Sequence, residues 1–299
     1  GLMEFPGSNT AVHLFGAGLH RYTEVAGSVL SAAETNEYVF IPDEIFTFAA
    51  QSGKVTPAEA GKIFWIETLQ RAQLAAVITI ARTAAWVAAS SREYEAQAIG
   101  PFAACCRALV EATGDSCDAL NRTALTIAEN ASQISRELSG QGRGAVSEEL
   151  ETLLIHFTHA RKVKKGETVP AFHSAKATAH YISIVTSMGL PKSAEFYGAL
   201  CELMHPAAAS MEHYYMPTDR GFRLTFGNEG DALERFVKKY QETLHGILPL
   251  ALNPALLALR VCSSFGLGST PRALSQMNFA LIPIWGRIAQ GLKAAGLEA

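Results

Sequence analysis

The sequence predicts an all-α protein, a multi-helix bundle with one long central helix. Three observations carry this. Apolar residues recur at three- and four-residue spacing along most of the 299 residues, with almost no period-two alternation. Helix start and stop signals punctuate the chain at short intervals. Residues 57 to 96 read as one unbroken helix that is apolar on nearly all sides, as a helix enclosed by neighbours should be.

The elements follow in order. Residues 1 to 18 are rich in glycine, with serine and asparagine among them, and read as an irregular arm. Helices are expected over 19–32 and 43–51. Thr56-Pro57-Ala58-Glu59 then supplies a capping threonine, proline at the first helical position and glutamate three residues after the cap. Along the helix it opens, Ile63, Phe64, Ile66, Leu69, Leu74, Val77, Ile78, Ala81, Ala85 and Trp86 cover most of the circumference. Gly100-Pro101 separates it from helices over 101–113 and 115–139, with 146–163 and 170–188 next. Met188-Gly189-Leu190-Pro191 reads as a stop and a new start, giving a helix over 191–205 that ends at His205-Pro206. The connection from Pro206 to Gly230 holds the strand-like piece Gly221-Phe222-Arg223-Leu224-Thr225-Phe226. Helices over 231–248, 254–265 behind an Asn253-Pro254 cap, and 271–295 behind Thr270-Pro271 complete the chain, the last divided or kinked at Pro283. The expected organisation is an N-terminal arm with short helices (1–56), a bundle core (57–215) and C-terminal helices on the same bundle (216–299).

Composition narrows the function classes. Hydrophobic residues make up 48% and charged ones 18%, which suits a well-buried protein with apolar surface left for a dimer interface. A formal charge of −3 gives no general attraction to DNA, RNA or anionic membranes. RNA would need a local patch. Arg161-Lys162-Val163-Lys164-Lys165 is a candidate, beside His173, Lys176, His180, Ser183 and Ser187 at 3-4-3-4 spacing on one expected helical face; an ordinary solvated face is the favoured interpretation. The apolar stretches Ile63 to Ala89 and Ile247 to Leu259 are interrupted by charge or by Asn253-Pro254, so both are expected as buried helices and not membrane spans. Five cysteines without paired spacing form neither a disulfide framework nor a zinc knuckle. With no basic and apolar leader at Gly1-Leu2-Met3, a reducing cytoplasm is the expected setting.

Candidate chemistry concentrates near one helix end. Tyr197, Cys201 and His205 share a face, and Glu202 stands three residues before His205. A second Glu-x-x-His pair, Glu242 and His245, would be needed for a di-iron bundle site. Glu242, however, falls opposite the stripe Leu233, Phe236, Val237, Tyr240, Leu244 and Ile247, so Glu242 and His245 are expected on a solvated face and no metal or other cofactor is assigned. His156 and His159 are expected at the edge of a stripe formed by Val146, Leu150, Leu153 and Phe157, as structural histidines. Inside the bundle, Glu67, Arg71 and Arg82 lie along one face, and Arg107 and Glu111 repeat an i, i+4 pair. Arg82, Arg107 and Glu111 are expected to share a buried network, with Glu202 and His205 as further members. No Gly-x-Ser-x-Gly and no phosphate-binding loop occurs, and Gly266-Leu267-Gly268-Ser269-Thr270 reads as a turn.

Arg107-Ala108-Leu109-Val110-Glu111 and the later Tyr197-Gly198-Ala199-Leu200-Cys201-Glu202-Leu203-Met204-His205-Pro206 resemble motifs of the HEPN-like helical proteins. The likeness covers roughly residues 60 to 215. It implies a compact bundle, frequent dimerisation, nucleotide or RNA association and, in some relatives, ribonuclease activity. The active ribonucleases carry an arginine separated from a histidine by four to six intervening residues. Here the matching places before His205 are Leu200, Ala199 and Gly198, so the electrostatic device for phosphate cleavage is missing.

The expectation that results is a non-catalytic binding or regulatory module, pairing as a homodimer, with Arg107, Glu111, Tyr197, Glu202 and His205 facing a ligand. The helix end at His205 is expected as a structural latch first and a binding-site wall second. The alternative is an enzyme, either a divergent HEPN-type ribonuclease or a metal-dependent enzyme using Glu202 and His205.

Overall fold

The Glu59 N–H donates to Thr56 Oγ1 at 3.2 Å, and the Thr56 N–H donates to Glu59 Oε2 at 2.8 Å. This reciprocal capping box satisfies donors that a helix start leaves without partners, and it opens the longest element, Pro57–Glu95. The computed structural model describes residues 4–268 and 271–299. Among them it is all-α apart from one short hairpin. The helices are α1 (Asn9–Phe15), α2 (Leu19–Ala33), α3 (Asp43–Gln51), α4 (Pro57–Glu95), α5 (Ile99–Leu120), α6 (Thr123–Glu129), α7 (Ala131–Leu138), α8 (Glu148–His159), α9 (Thr178–Ser187), α10 (Ser193–Met204), α11 (Glu229–Lys239), α12 (Gln241–Ser264), α13 (Arg272–Gln276) and α14 (Trp285–Ala294). Strands β1 (Tyr215–Thr218) and β2 (Gly221–Leu224) pair antiparallel, with Tyr215 opposite Leu224.

Several boundaries differ from the sequence reading, each for a local reason. The expected irregular arm contains α1, capped by Ser8, whose side chain accepts the Ala11 N–H at 3.1 Å. The expected break between 113 and 115 is absent. Gly114 is there for packing, since a Cβ on it would lie 2.4 Å from the Tyr181 carbonyl oxygen. The expected 115–139 helix divides instead at Asn121-Arg122 and at Asn130. The Asn130 side chain donates to the Thr126 carbonyl at 2.8 Å, the competition with backbone bonding that makes asparagine a poor interior residue. Asn253-Pro254 does not cap a helix but sits inside α12. Pro254 has no N–H to offer the Leu250 carbonyl, and the Cys117 thiol donates to that oxygen at 3.3 Å.

Other expectations shift by a turn or more. The 146–163 helix is only Glu148–His159, and its core side carries Leu150, Leu154 and His156, while Val146 is exposed. The 170–188 helix reduces to a 3₁₀ turn at Ala171–His173 and α9, so His173 and Lys176 lie outside the face that His180, Ser183 and Ser187 occupy. The stop at Met188-Gly189 is found as expected, with Gly189 at φ +83° and the Leu190 N–H bonded back to the Val185 carbonyl at 3.2 Å. The strand-like piece is β2, though its partner β1 carries no sequence signal. The expected 271–295 helix breaks at Pro283 but also earlier, at Met277-Asn278, between α13 and a 3₁₀ turn over Phe279–Leu281. Ser269 and Thr270, and so the expected Thr270 cap, lie outside the described residues.

The chain forms two compact units, and both draw on separated stretches of sequence. The first takes residues up to Gly27, Thr79–Cys117 and Lys176–Leu252. Leu14, Phe15, Tyr22, Ile80, Phe102, Leu109, Phe196, Leu200, Leu244 and Ile247 are buried in it. Phe196, Phe236 and Tyr240 form an aromatic group, with ring centroids 4.9–5.9 Å apart. The second unit takes Ser28–Ile78, Asp118–Ala175 and the chain from Asn253 onward. Trp65, Leu69, Ile127, Ile134, Leu154, Leu256, Val261, Ile288 and Leu292 are buried there. In it α14 approaches α6 closely, and Gly291 permits this because a Cβ would stand 2.4 Å from the Ala128 carbonyl oxygen. Among the described residues α4 and α12 are long and apolar enough to cross a bilayer, by length and composition.

Candidate binding site around Arg107

Helix spacing puts Arg107, Glu111 and Asp115 along one edge of α5, four residues apart. At the upper end the side chains close on one another. Arg107 Nε donates to Glu111 Oε1 at 2.9 Å and to Tyr197 Oη at 3.0 Å. Tyr197, from α10, donates its hydroxyl proton to the same Glu111 oxygen at 2.5 Å. The guanidinium carbon also stands 5.5 Å from the centre of the Tyr197 ring. Three of the five candidate residues are therefore assembled in one cluster. Phe196 and Leu200 set the phase of α10, both fully buried, which leaves Tyr197 at the edge of the core.

The electrostatics follow from these contacts. Burial, then the bond to Glu111, pushes the Tyr197 hydroxyl up to about 12. Arg107 is pushed further up, first by its bond to Tyr197. Its bonds to described residues all run through Nε, so the two terminal nitrogens remain available on a side chain about a quarter exposed. Tyrosine and glutamate thus fix the stem and aim the outer fork.

Glu202 and His205 do not join the cluster. Both are exposed, and neither side chain bonds to another described residue. The helix does stop here, with the His205 N–H bonded to the Cys201 carbonyl at 2.9 Å, but the Glu–His pair is no latch. The expected single network of Arg82, Arg107 and Glu111 also resolves differently. Arg82 is held by Asp115 at 2.8 Å, the Ala112 carbonyl at 3.1 Å and Ser116 Oγ at 2.9 Å. Asp115 went unnoticed in the sequence, although its four-residue offset from Glu111 was the available signal.

The remaining candidates are placed as follows. Glu67 accepts the Ile41 N–H at 2.6 Å and Arg71 lies 4.2 Å over the Phe40 ring, so the pair anchors the 39–41 segment. Glu242 is exposed, as its helical phase requires, but His245 is half-buried against Gly16, not on a solvated face. His156 is buried, with Nδ1 2.9 Å from the Phe172 carbonyl. A carbonyl only accepts, so Nδ1 carries the proton. Arg161 of the basic run is engaged by Glu167 through both terminal nitrogens, and its backbone bridges Ser174. Among the described residues no three His, Cys, Asp or Glu side chains gather as metal ligands would. Cys106 and Cys262 are buried, and burial pushes both thiols up to about 12.

No family model matches this chain, nor does any curated protein or solved structure.

Proposed function

We propose that this chain is a non-catalytic helical binding module of the HEPN-like kind, and that Arg107 contacts an anionic group of its ligand, the phosphate of a nucleotide or of RNA. The observation that carries this is the fixed guanidinium, tied at Nε by Glu111 and Tyr197 with its outer fork open. Arginine forks of this kind suit phosphate oxygens. The non-catalytic part has its own support. A tyrosine held as the phenol up to about 12 is no base at neutral pH, and Glu111 already accepts two donors. An enzyme using Glu202 and His205 would need them set in a site, whereas both stand exposed without a bonded partner among the described residues. Homodimerisation belongs to the same reading and rests on the resemblance.

Calorimetric titration with a mononucleotide and with a short single-stranded RNA tests the proposal. Saturable binding of either is expected, weakened at least tenfold, about 1.4 kcal/mol, by Arg107→Gln. Arg107→Lys should recover only part of it, because a point charge replaces the fork. Absence of binding, or binding indifferent to Arg107→Gln, removes the assignment, and cleavage of the RNA removes its non-catalytic half. Light scattering reads the dimer directly.

A further inference from the structure

Glu137 sits in the last turn of α7 and is only 2% exposed. Its carboxylate is claimed by the chain that follows: Arg143 and Ala145 N–H groups donate to Oε1 at 3.1 and 3.0 Å, and the Gly144 N–H donates to Oε2 at 3.2 Å. Three backbone donors on one carboxylate disperse its charge and pin the loop. The fit needs bare glycine, since a Cβ at Gly142 would fall 2.0 Å from Glu137 Oε2 and one at Gly61 2.1 Å from it. The loop after α7 is therefore rigidly seated.

Beside it opens a cleft of about 400 Å³, lined by Gln133 and Arg136 from α7 and by Gln141 and Arg143 from the loop. That size falls within the range of small-molecule sites. The one acid in its wall, Glu137, is already satisfied by the loop. The two guanidinium groups make no hydrogen bond or ion pair with a described residue. The side-chain amides of Gln133 and Gln141 stand beside them and make no hydrogen bond with a described residue. Two arginines from two elements, one on a helix and one on a pinned loop, make a pair of forks without a counter-ion among the described residues.

We propose that this cleft is a second anion site, for a phosphorylated small molecule whose phosphate lies between Arg136 and Arg143. Gln133 and Gln141 would bond the uncharged part of the same molecule. Phosphate is the class that fits, because its several oxygens can meet two forks at once, and a Gln on each side adds donors that bulk counter-ions do not use. This site is independent of Arg107 and stands or falls separately.

Pyrophosphate and ribose 5-phosphate, neither of them a nucleotide, are titrated separately into the full chain as probes. Saturable binding of at least one is expected, with Kd raised tenfold or more by Arg136→Gln and by Arg143→Gln, and unchanged at this site by Arg107→Gln. Both arginines are exposed, so the variants should keep the parent Tm, which a thermal melt checks. Bound probe should also slow trypsin cleavage after Arg136 and Arg143. No saturable binding of either probe overturns the proposal. So does binding that the Arg136→Gln, Arg143→Gln double variant leaves intact; if Arg107→Gln alone abolishes it, the Arg107 reading stands while this one fails.

Discussion

Tyr197 and Glu111 share a hydrogen bond of 2.5 Å, and the carboxylate oxygen that accepts it also accepts the Arg107 Nε–H. The tyrosine proton is thus held by an anion, and its removal would set two negative charges side by side. Burial adds to that cost, which is why the hydroxyl rises to about 12 from its ordinary value near 10. Folded Tyr197 favours the protonated form, so its contribution to stability is complete below about pH 10 and is lost as pH climbs towards 12. Tyr197→Phe should cost about 1 kcal/mol in urea unfolding at pH 8. It should also flatten the fall in stability between pH 10 and 11.5, with Tyr94→Phe as a second variant, because Tyr94 beside Glu234 is raised likewise.

Two helical glycines predict opposite outcomes. Gly114→Ala places a methyl 2.4 Å from the Tyr181 carbonyl oxygen and should destabilise by about 1–3 kcal/mol. Gly198 has nothing within 4 Å of its added Cβ, and Gly198→Ala in α10 should stabilise by up to about 1 kcal/mol. Thermal melts of the two variants check both signs.

Glu137→Ala leaves three part-buried loop N–H groups without their acceptor and should cost about 2–3 kcal/mol. Glu137→Gln retains one carbonyl oxygen and should cost less. Chemical denaturation at neutral pH reads the order.

Glu151 is pushed up first by burial, against the pull of Arg71. A carboxyl raised in the folded state penalises folding once pH rises above its ordinary value and through the folded one. Glu151→Gln should therefore stabilise slightly at pH 7, by no more than about 0.5 kcal/mol, seen as a small rise in Tm, and leave Tm unchanged near pH 3.5.

The sequence made the helical class, the capping box at Thr56 and the stop at Gly189 legible, because each depends on residues within one turn. Arg107 and Glu111 were legible as an i, i+4 pair. Their meeting with Tyr197, ninety residues on, has no local signal, because it depends on how α10 packs beside α5. Glu202 and His205 misled because a pair at good spacing says nothing about exposure, which depends on what packs across from α10. Pro254 misled in the opposite sense. A proline ordinarily marks a boundary, yet here a cysteine from α5 supplies the missing donor, and no local pattern encodes that. The loop that pins Glu137 had a signal, the alternating glycines Gly140, Gly142 and Gly144 directly after a helix, whose purpose shows only when the carboxylate is seen between them.

The edge of α5 that carries Arg107, Glu111 and Asp115 behaves as a toothed key. Its charges read plus, minus, minus at four-residue steps, answered by Tyr197 at one end and Arg82 at the other. Sliding the helix by one turn in one direction brings Ala103 to the place of Arg107, and in the other brings Ala119 to the place of Asp115. The first empties the slot under Tyr197 and the second leaves Arg82 facing a methyl group. Part-exposed ion pairs add little to net stability, but a slipped register strips Arg82 and Tyr197 of their hydrogen-bond partners. Small side chains such as the alanines around them on α5 would otherwise let neighbouring helices slip past at slight expense, and these three residues give that interface a single setting.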